Sequence, residues 1–112
     1  MAAIDGEIGS CTPSAATATD IRAVPASKKA VGVVAICNKS TTVTATVRVS
    51  LSGTTNTEGT AFLCHGVVLG PSGGGSNMAY ISPVAVGASK FLVAYSDVAN
   101  VSFVYDGREE DI

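Results

Sequence analysis

Residues 42–51 alternate almost without error between polar and apolar side chains. The apolar positions run from Val43 to Leu51 in steps of two, with Thr, Arg or Ser between them. Successive side chains of a β-strand point to opposite faces, so this pattern predicts a strand with one buried and one wet face. No stretch of the chain sustains apolar residues three and four positions apart, as an amphipathic helix would. The alternation therefore favours an all-β fold.

The segment of residues 30–37, AVGVVAIC, is apolar on both faces. Such a strand is expected where the core covers one face and a neighbouring element or subunit covers the other. Further strand candidates follow at intervals of about ten residues, and a weaker one precedes them. They lie at 62–69, 77–82, 90–96 and 101–105, with the weaker one at 19–24.

Turn residues separate the predicted strands. Asn38, Lys39 and Ser40 form a connection short enough for a hairpin, whereas 52–59 and 70–75 are longer polar or glycine-rich loops. We predict six to eight short antiparallel strands in a β-sandwich or a jelly-roll-like barrel, with a strand order that the pattern leaves open. The predicted core consists of Val31, Val33, Ile36, Val43, Val47, Val49, Phe91, Val93, Val101 and Phe103.

The two ends of the chain differ from its middle. Residues 1–18 are rich in Ala, Thr, Ser and Gly and predict an extended N-terminal arm, 19–107 form the β-sandwich domain, and 108–112 form an acidic C-terminal tail. Small polar arms gain order by lying along another chain. We therefore expect the ends to contact neighbouring subunits. The candidate interface residues are Ile4, Ile8, Arg22, Arg108, Glu109, Glu110 and Asp111.

Charges are few in this chain and apolar residues are many. Of its 112 residues, 46% are hydrophobic and 14% charged, and the mean hydropathy is +0.39. A monomer of this composition has a weakly polar surface, which favours a subunit partly covered by its neighbours. The seven Lys and Arg residues are scattered and the net charge is −2, so nucleic-acid binding is not expected. No apolar run is long enough to cross a membrane as a helix, and we expect no membrane partner.

No grouping of residues in the sequence indicates catalysis, a cofactor or a metal. His65 is the one histidine, and its neighbour Cys64 points to the opposite face of the same predicted strand. Cys11, Cys37 and Cys64 lack metal-ligand spacing, and whether Cys37 and Cys64 pair stays open. We therefore predict that the protein is not an enzyme.

Four segments, taken in order, resemble a family of small bacteriophage virion structural proteins that is common among phages of cyanobacteria and other marine hosts. They are 23–29 (AVPASKK), 37–40 (CNKS), 46–49 (TVRV) and 91–109 (FLVAYSDVANVSFVYDGRE). The resemblance extends over most of the chain, and its motifs are structural rather than catalytic. Residues 62–77, FLCHGVVLGPSGGGSN, depart from the aromatic-rich strand that is usual in the family.

The resemblance implies a location in the virion, after assembly in the host cytoplasm, with the major capsid protein or other virion subunits as partners. We expect a homo-oligomeric capsid decoration (cement) protein that stabilises the shell. Within the virion, the alternative is an adaptor in the tail, neck, baseplate or fibre attachment. The alternative of another class is a carbohydrate-binding module, in which exposed Tyr80, Tyr95 or Tyr105 would contact the sugar.

Overall fold

The structure is a computed structural model that describes residues 4–112. It is built of antiparallel β-strands, and no helix in the described residues could span a membrane. The strands are β1 (Ile4–Cys11), β2 (Thr19–Ala23), β3 (Lys28–Asn38), β4 (Ala45–Ser52), β5 (Ala61–Leu69), β6 (Met78–Val86), β7 (Phe91–Ser96) and β8 (Val101–Asp111).

The strands form two four-stranded sheets. Sheet A has the order β1-β8-β3-β6, and sheet B has the order β2-β7-β4-β5. Four antiparallel pairs are nested along the chain: β1·β8, β2·β7, β3·β6 and β4·β5. They correspond to one long antiparallel hairpin that is rolled up, so that successive pairs lie alternately in sheet A and sheet B. This is the double Greek-key arrangement of a jelly roll. The predicted all-β sandwich is confirmed, and the strand order selects its jelly-roll form.

The core lies between the two sheets and consists of their inward side chains. In β4 the predicted alternation is confirmed at Ala45, Val47 and Val49, which are fully buried. Phe103 and Tyr105 of β8 are the largest buried side chains and fill the space opposite. Of the predicted core, five residues are fully buried between the sheets: Ile36, Val47, Val49, Val101 and Phe103. Val93 is also buried but lies on the outward side of β7, opposite Ser50, and Val33 and Phe91 are only partly buried and lie outside the core cluster.

The prediction that Val31 and Val43 belong to the core is wrong, since they are 49% and 43% exposed. Val43 precedes the start of β4, where the chain is still crossing between the sheets. Val31 faces outwards because Val34 and Ile36 occupy the inward face of β3. A strand that is apolar on both faces does not reveal from its sequence which face points inwards.

Asn38 to Ser40 do not form the predicted hairpin, because β3 lies in sheet A and β4 in sheet B. The connection crosses one end of the sandwich instead. There the buried Asn38 side chain donates hydrogen bonds to the carbonyl oxygens of Val43, Leu69 and Gly70, at 2.8, 3.2 and 3.1 Å. One buried amide thus holds the loops that follow β3 and β5 together.

The N-terminal region also differs from the arm predicted for residues 1–18. Residues 1–3 lie outside the described residues, and β1 pairs with β8 from Ile4 opposite Glu109 to Cys11 opposite Phe103. Ile8 is buried in the core. A Cβ at Gly9 would lie 2.3 Å from the Ile21 carbonyl oxygen, so glycine permits the close approach of β1 to β2. The glycines and acidic residues of β1 hide its alternation in the sequence.

The C-terminal residues are likewise part of the sandwich rather than a free tail. β8 extends to Asp111, and its last residues pair with β3, with Glu110 opposite Lys29 and Asp111 opposite Lys28. The main-chain N–H of Ile112 donates to the carbonyl oxygen of Ser27 at 3.0 Å. The whole stretch predicted as 108–112 is therefore held by backbone hydrogen bonds.

Candidate assembly surface

The outer face of sheet A is apolar over much of its area. β3 contributes a row of outward side chains, and β6 and β8 place apolar residues directly beside it. Directly opposed residues of antiparallel strands share a face, so Ala35, Tyr80 and Val104 lie side by side across three strands. We call this surface the sheet A face; it consists of Val31, Val33, Ala35, Cys37, Met78, Tyr80, Ala85 and Val104.

Three large side chains of the sheet A face are open to solvent. Tyr80 is 66% exposed, Val31 49% and Met78 47%. Contiguous exposed apolar patches on a soluble protein mark sites of interaction. The sequence predicts that β3 is covered on both faces; the core covers its inner face, whereas on its outer face Val31 stays about half exposed.

A groove of about 370 Å³ lies at one end of the sheet A face. Val31, Ala85 and Gly87 form its apolar part, and Lys29, Arg108 and Glu110 form its charged rim. The guanidinium of Arg108 pairs with Glu110 at 3.1 Å and with Asp5 of β1 at 3.3 Å. These charges are solvent-exposed, so they contribute little to the stability of the fold.

The chain itself covers part of the outer face of sheet B, over β4 and β2. The loop between β4 and β5 folds back over it, and Arg48 of β4 donates two hydrogen bonds to the Glu58 carboxylate, at 2.8 and 2.7 Å. The Arg48 guanidinium also stacks on the Tyr95 ring at 3.8 Å, and its hydrogen bonds to Glu58 raise the pKa of Arg48.

A second contact holds the same loop to β2. The main-chain N–H of Asp20 donates to Asn56 Oδ1 at 2.9 Å, and the main-chain N–H of Asn56 donates to Asp20 Oδ1 at 2.8 Å. The loop is therefore fixed to β4 and to the edge strand β2. Over β4 and β2 the outer face of sheet B is closed by polar contacts, whereas the outer face of sheet A is apolar and open.

β5 carries a further row of outward side chains at the edge of sheet B. Two irregularities in its pairing with β4 place Phe62, His65 and Val68 on one face, opposite Ser50, Arg48 and Thr46 respectively. The rings of Phe62 and His65 meet edge to face, with centroids 4.8 Å apart. Val68 is 63% exposed. We call these three residues the β5 row.

The structure uses several of the candidate interface residues within the chain. Arg22 of β2 donates two hydrogen bonds of 2.7 Å to the Glu109 carboxylate of β8, and Glu109 is 1% exposed. These bonds raise the pKa of Arg22. Lys28 pairs with Asp111 at 2.5 Å. Ile8 belongs to the core, and the side chain of Ile4 lies outside the described residues.

Two of the candidate interface residues, Arg108 and Glu110, do lie on the sheet A face, at the rim of its groove. The larger part of that face was not singled out from the sequence. The available signal is that 78–81, MAYI, like 30–37, are apolar on both faces of a strand. Two such strands side by side leave one apolar face outside the core.

The histidine and the cysteines of the described residues do not lie together in one cluster. His65 is exposed and Cys64 packs against the core from the opposite side of β5, as predicted. All three cysteines are free thiols, so Cys37 and Cys64 do not form a disulfide bridge in this structure. Residues 4–112 contain no group of three or more His, Cys, Asp or Glu side chains that could hold a metal ion.

The three tyrosines do not form a common sugar-binding surface. Tyr105 is buried and its hydroxyl donates to the Val84 carbonyl oxygen at 2.8 Å. Tyr95 lies under Arg48 on sheet B, whereas Tyr80 lies on sheet A. A stacking platform for a carbohydrate would need such rings close together and exposed.

No family model matches the chain, and no curated protein matches it. The chain is similar to two crystal structures of a pentameric capsid protein isolated from metagenomic phage sequences. Both show 20% sequence identity and a TM-score of 0.42 over 96% of this chain. The matched region covers 60% of the first of those chains and 68% of the second, which was solved by iodide phasing.

Proposed function

We propose that the protein is a non-enzymatic structural component of a phage particle, and specifically a decoration (cement) protein that stabilises the capsid shell. In this role it assembles as a homo-oligomer and contacts the major capsid protein. The two similar crystal structures are described as pentameric capsid proteins, and the proposal extends a capsid location and self-association to this chain.

The observation that carries the proposal is the difference between the two outer faces of the sandwich. The chain's own loop covers sheet B at β4 and β2, through Arg48–Glu58 and Asp20–Asn56, and leaves the β5 row open at its edge. Sheet A exposes Val31, Met78 and Tyr80 on its outer face, where they are 49%, 47% and 66% exposed. A subunit of an assembly needs such a face, and a monomer in solution is better without it.

The sequence supports a virion role independently of this surface. The segments at 23–29, 37–40, 46–49 and 91–109 resemble small phage structural proteins. The jelly roll occurs in viral capsid domains, in lectin domains and in cupins, so by analogy it admits a capsid role without selecting one. Cupin-type chemistry lacks its ligand set in the described residues, and the separated tyrosines disfavour a lectin site.

The test is to measure where the protein lies and how many copies a particle holds. Gel densitometry of purified particles gives its ratio to the major capsid protein, and cryo-electron microscopy gives its position. We expect many copies spread over the shell, and we expect particles depleted of the protein to release DNA at lower temperature. A few copies confined to the tail or neck would support the adaptor role instead, and absence from particles would overturn both.

A further inference from the structure

The described chain has two separate apolar surfaces that are open to solvent. One is the sheet A face, with Val31, Met78 and Tyr80, and the other is the β5 row, with Phe62 and Val68. β5 and β6 lie next to each other at one edge of the sandwich, but they belong to opposite sheets. The two surfaces therefore point in different directions, and a single copy cannot place one on the other.

The two surfaces differ in shape in a way that suits each other. The sheet A face contains the groove of about 370 Å³, with an apolar part at Val31 and Ala85 and a charged rim at Arg108 and Glu110. The β5 row presents an aromatic ring at Phe62 and a strongly exposed valine at Val68. An aromatic side chain that enters an apolar pocket inside a polar rim is the usual centre of a protein interface.

The charges at the two surfaces are compatible with such a contact. The β5 row contains no carboxylate or ammonium group, so its entry between Arg108 and Glu110 brings no like charges together.

We propose that copies of this chain associate head to tail, with the β5 row of one copy seated on the sheet A face of the next. A contact between two different surfaces of identical chains is heterologous, and it produces a ring where the rotation between copies closes. This inference deepens the proposed virion role, on which it rests, by assigning the surfaces through which the subunits assemble.

The test uses the full chain and three single substitutions that add one negative charge each. Tyr80→Asp alters the sheet A face, Val68→Asp alters the β5 row, and Ala15→Asp is the control at an exposed position of the β1–β2 connection. Circular dichroism melts confirm folding, and Tyr80→Ser and Val68→Thr replace any variant that fails to fold. Analytical ultracentrifugation then measures association. We expect wild type and Ala15→Asp to associate, and each of the other two to associate about tenfold more weakly or worse.

Mixing the two defective variants tests the head-to-tail arrangement itself. Tyr80→Asp retains an intact β5 row, and Val68→Asp retains an intact sheet A face. An equimolar mixture should therefore form a one-to-one complex that neither variant forms alone. A Val68→Asp variant that associates as well as wild type, or a mixture that stays monomeric, would overturn the inference.

The result also separates this inference from the proposed function. A wild-type chain that remains monomeric in solution, and that is incorporated into particles as isolated copies, would overturn head-to-tail association and leave the virion role standing. Absence of the chain from particles, together with association in solution, would overturn the virion role and leave head-to-tail association standing.

Discussion

Arg22 and Glu109 form a two-bond ion pair, with both N···O distances at 2.7 Å, which joins β2 of sheet B to β8 of sheet A. Glu109 is buried, while Arg22 is partly exposed. A carboxylate in this position is stable because the guanidinium satisfies both of its oxygens. The pair therefore holds the two sheets together at the edge where β1 and β2 lie.

Removing the two partners should have unequal effects. Arg22→Ala leaves the buried Glu109 carboxylate without its partner and should lower the free energy of unfolding by about 3–5 kcal/mol. Glu109→Gln keeps the shape and leaves Arg22 able to reach water, so it should cost less, about 1.5–3 kcal/mol. Glu58→Gln is the matched control, because the Arg48–Glu58 pair has the same geometry but is more exposed and should contribute about 0–1 kcal/mol. Urea unfolding at neutral pH checks the order, and equal costs for Glu58→Gln and Arg22→Ala would contradict it.

Deleting residues 1–11 should destabilise the domain rather than remove a free arm. The deletion takes away β1, leaves the outer edge of β8 unpaired and removes Ile8 from the core. We expect the melting temperature to fall by at least about 10 °C. Ile8→Ala alone should cost about 2–5 kcal/mol through the cavity it leaves. A truncated chain that melts like wild type would restore the arm interpretation.

The two faces of β3 should respond differently to the same substitution. Val34 is fully buried and Val31 lies on the sheet A face. Val34→Ala should lower the stability of the monomer by about 2 kcal/mol, from lost burial and a cavity. Val31→Ala should change it by less than about 0.5 kcal/mol, because that side chain already contacts water. Denaturant titrations of the two variants, at concentrations where the chain is monomeric, make the comparison.

The alternation that predicts the strands has a clear limit at β3 and β6. Alternation at 42–51 identified the inner face of β4 because polar residues marked the other face. In β3 no polar residues identify the outer face, so the sequence does not distinguish Val31, which is exposed, from Val34, which is buried. The surface to which the proposed function assigns assembly is therefore the one that local pattern describes least.

Two further features required the three-dimensional pairing. Phe62, His65 and Val68 are spaced three residues apart, which would not place them on one face of a regular strand. Register shifts between β4 and β5 bring them together, and Gly66, with a φ of +75°, is the one sequence sign of such an irregularity. The role of Glu109 was hidden in the same way, because its partner Arg22 is distant in sequence.

Stability should decline in alkaline solution. The pKa of Cys11 is raised from 9.0 to about 12 by burial and by nearby Asp20, and that of Tyr105 from 10.0 to about 12 by burial and by Glu109. Both groups are neutral when protonated, and the folded chain binds these protons more tightly than the unfolded chain. Their contribution is complete below about pH 9 and is lost as the pH rises towards 12.

Unfolding free energies measured between pH 8 and 11.5 test this decline, with Tyr105→Phe as the comparison. The variant loses the hydrogen bond to Val84 and should be less stable at pH 8 by about 1 kcal/mol. Its stability should fall less steeply above pH 10, because one of the two titrating groups is gone. A Tyr105→Phe slope as steep as that of wild type would show that other groups cause the decline.

The accessibility of Cys37 on intact particles tests most directly whether the sheet A face is the assembly surface. Cys37 belongs to that face and is partly exposed, whereas Cys11 and Cys64 have pKa values raised by burial and should react slowly with a maleimide. Mass spectrometry measures the labelling rate of Cys37 in the Val68→Asp variant, whose sheet A face is unaltered, and in wild-type protein on purified particles. We expect labelling of the free variant and strong protection in the particle. Equal labelling rates in the two states would show that the sheet A face stays open to solvent in the assembly and would contradict the account.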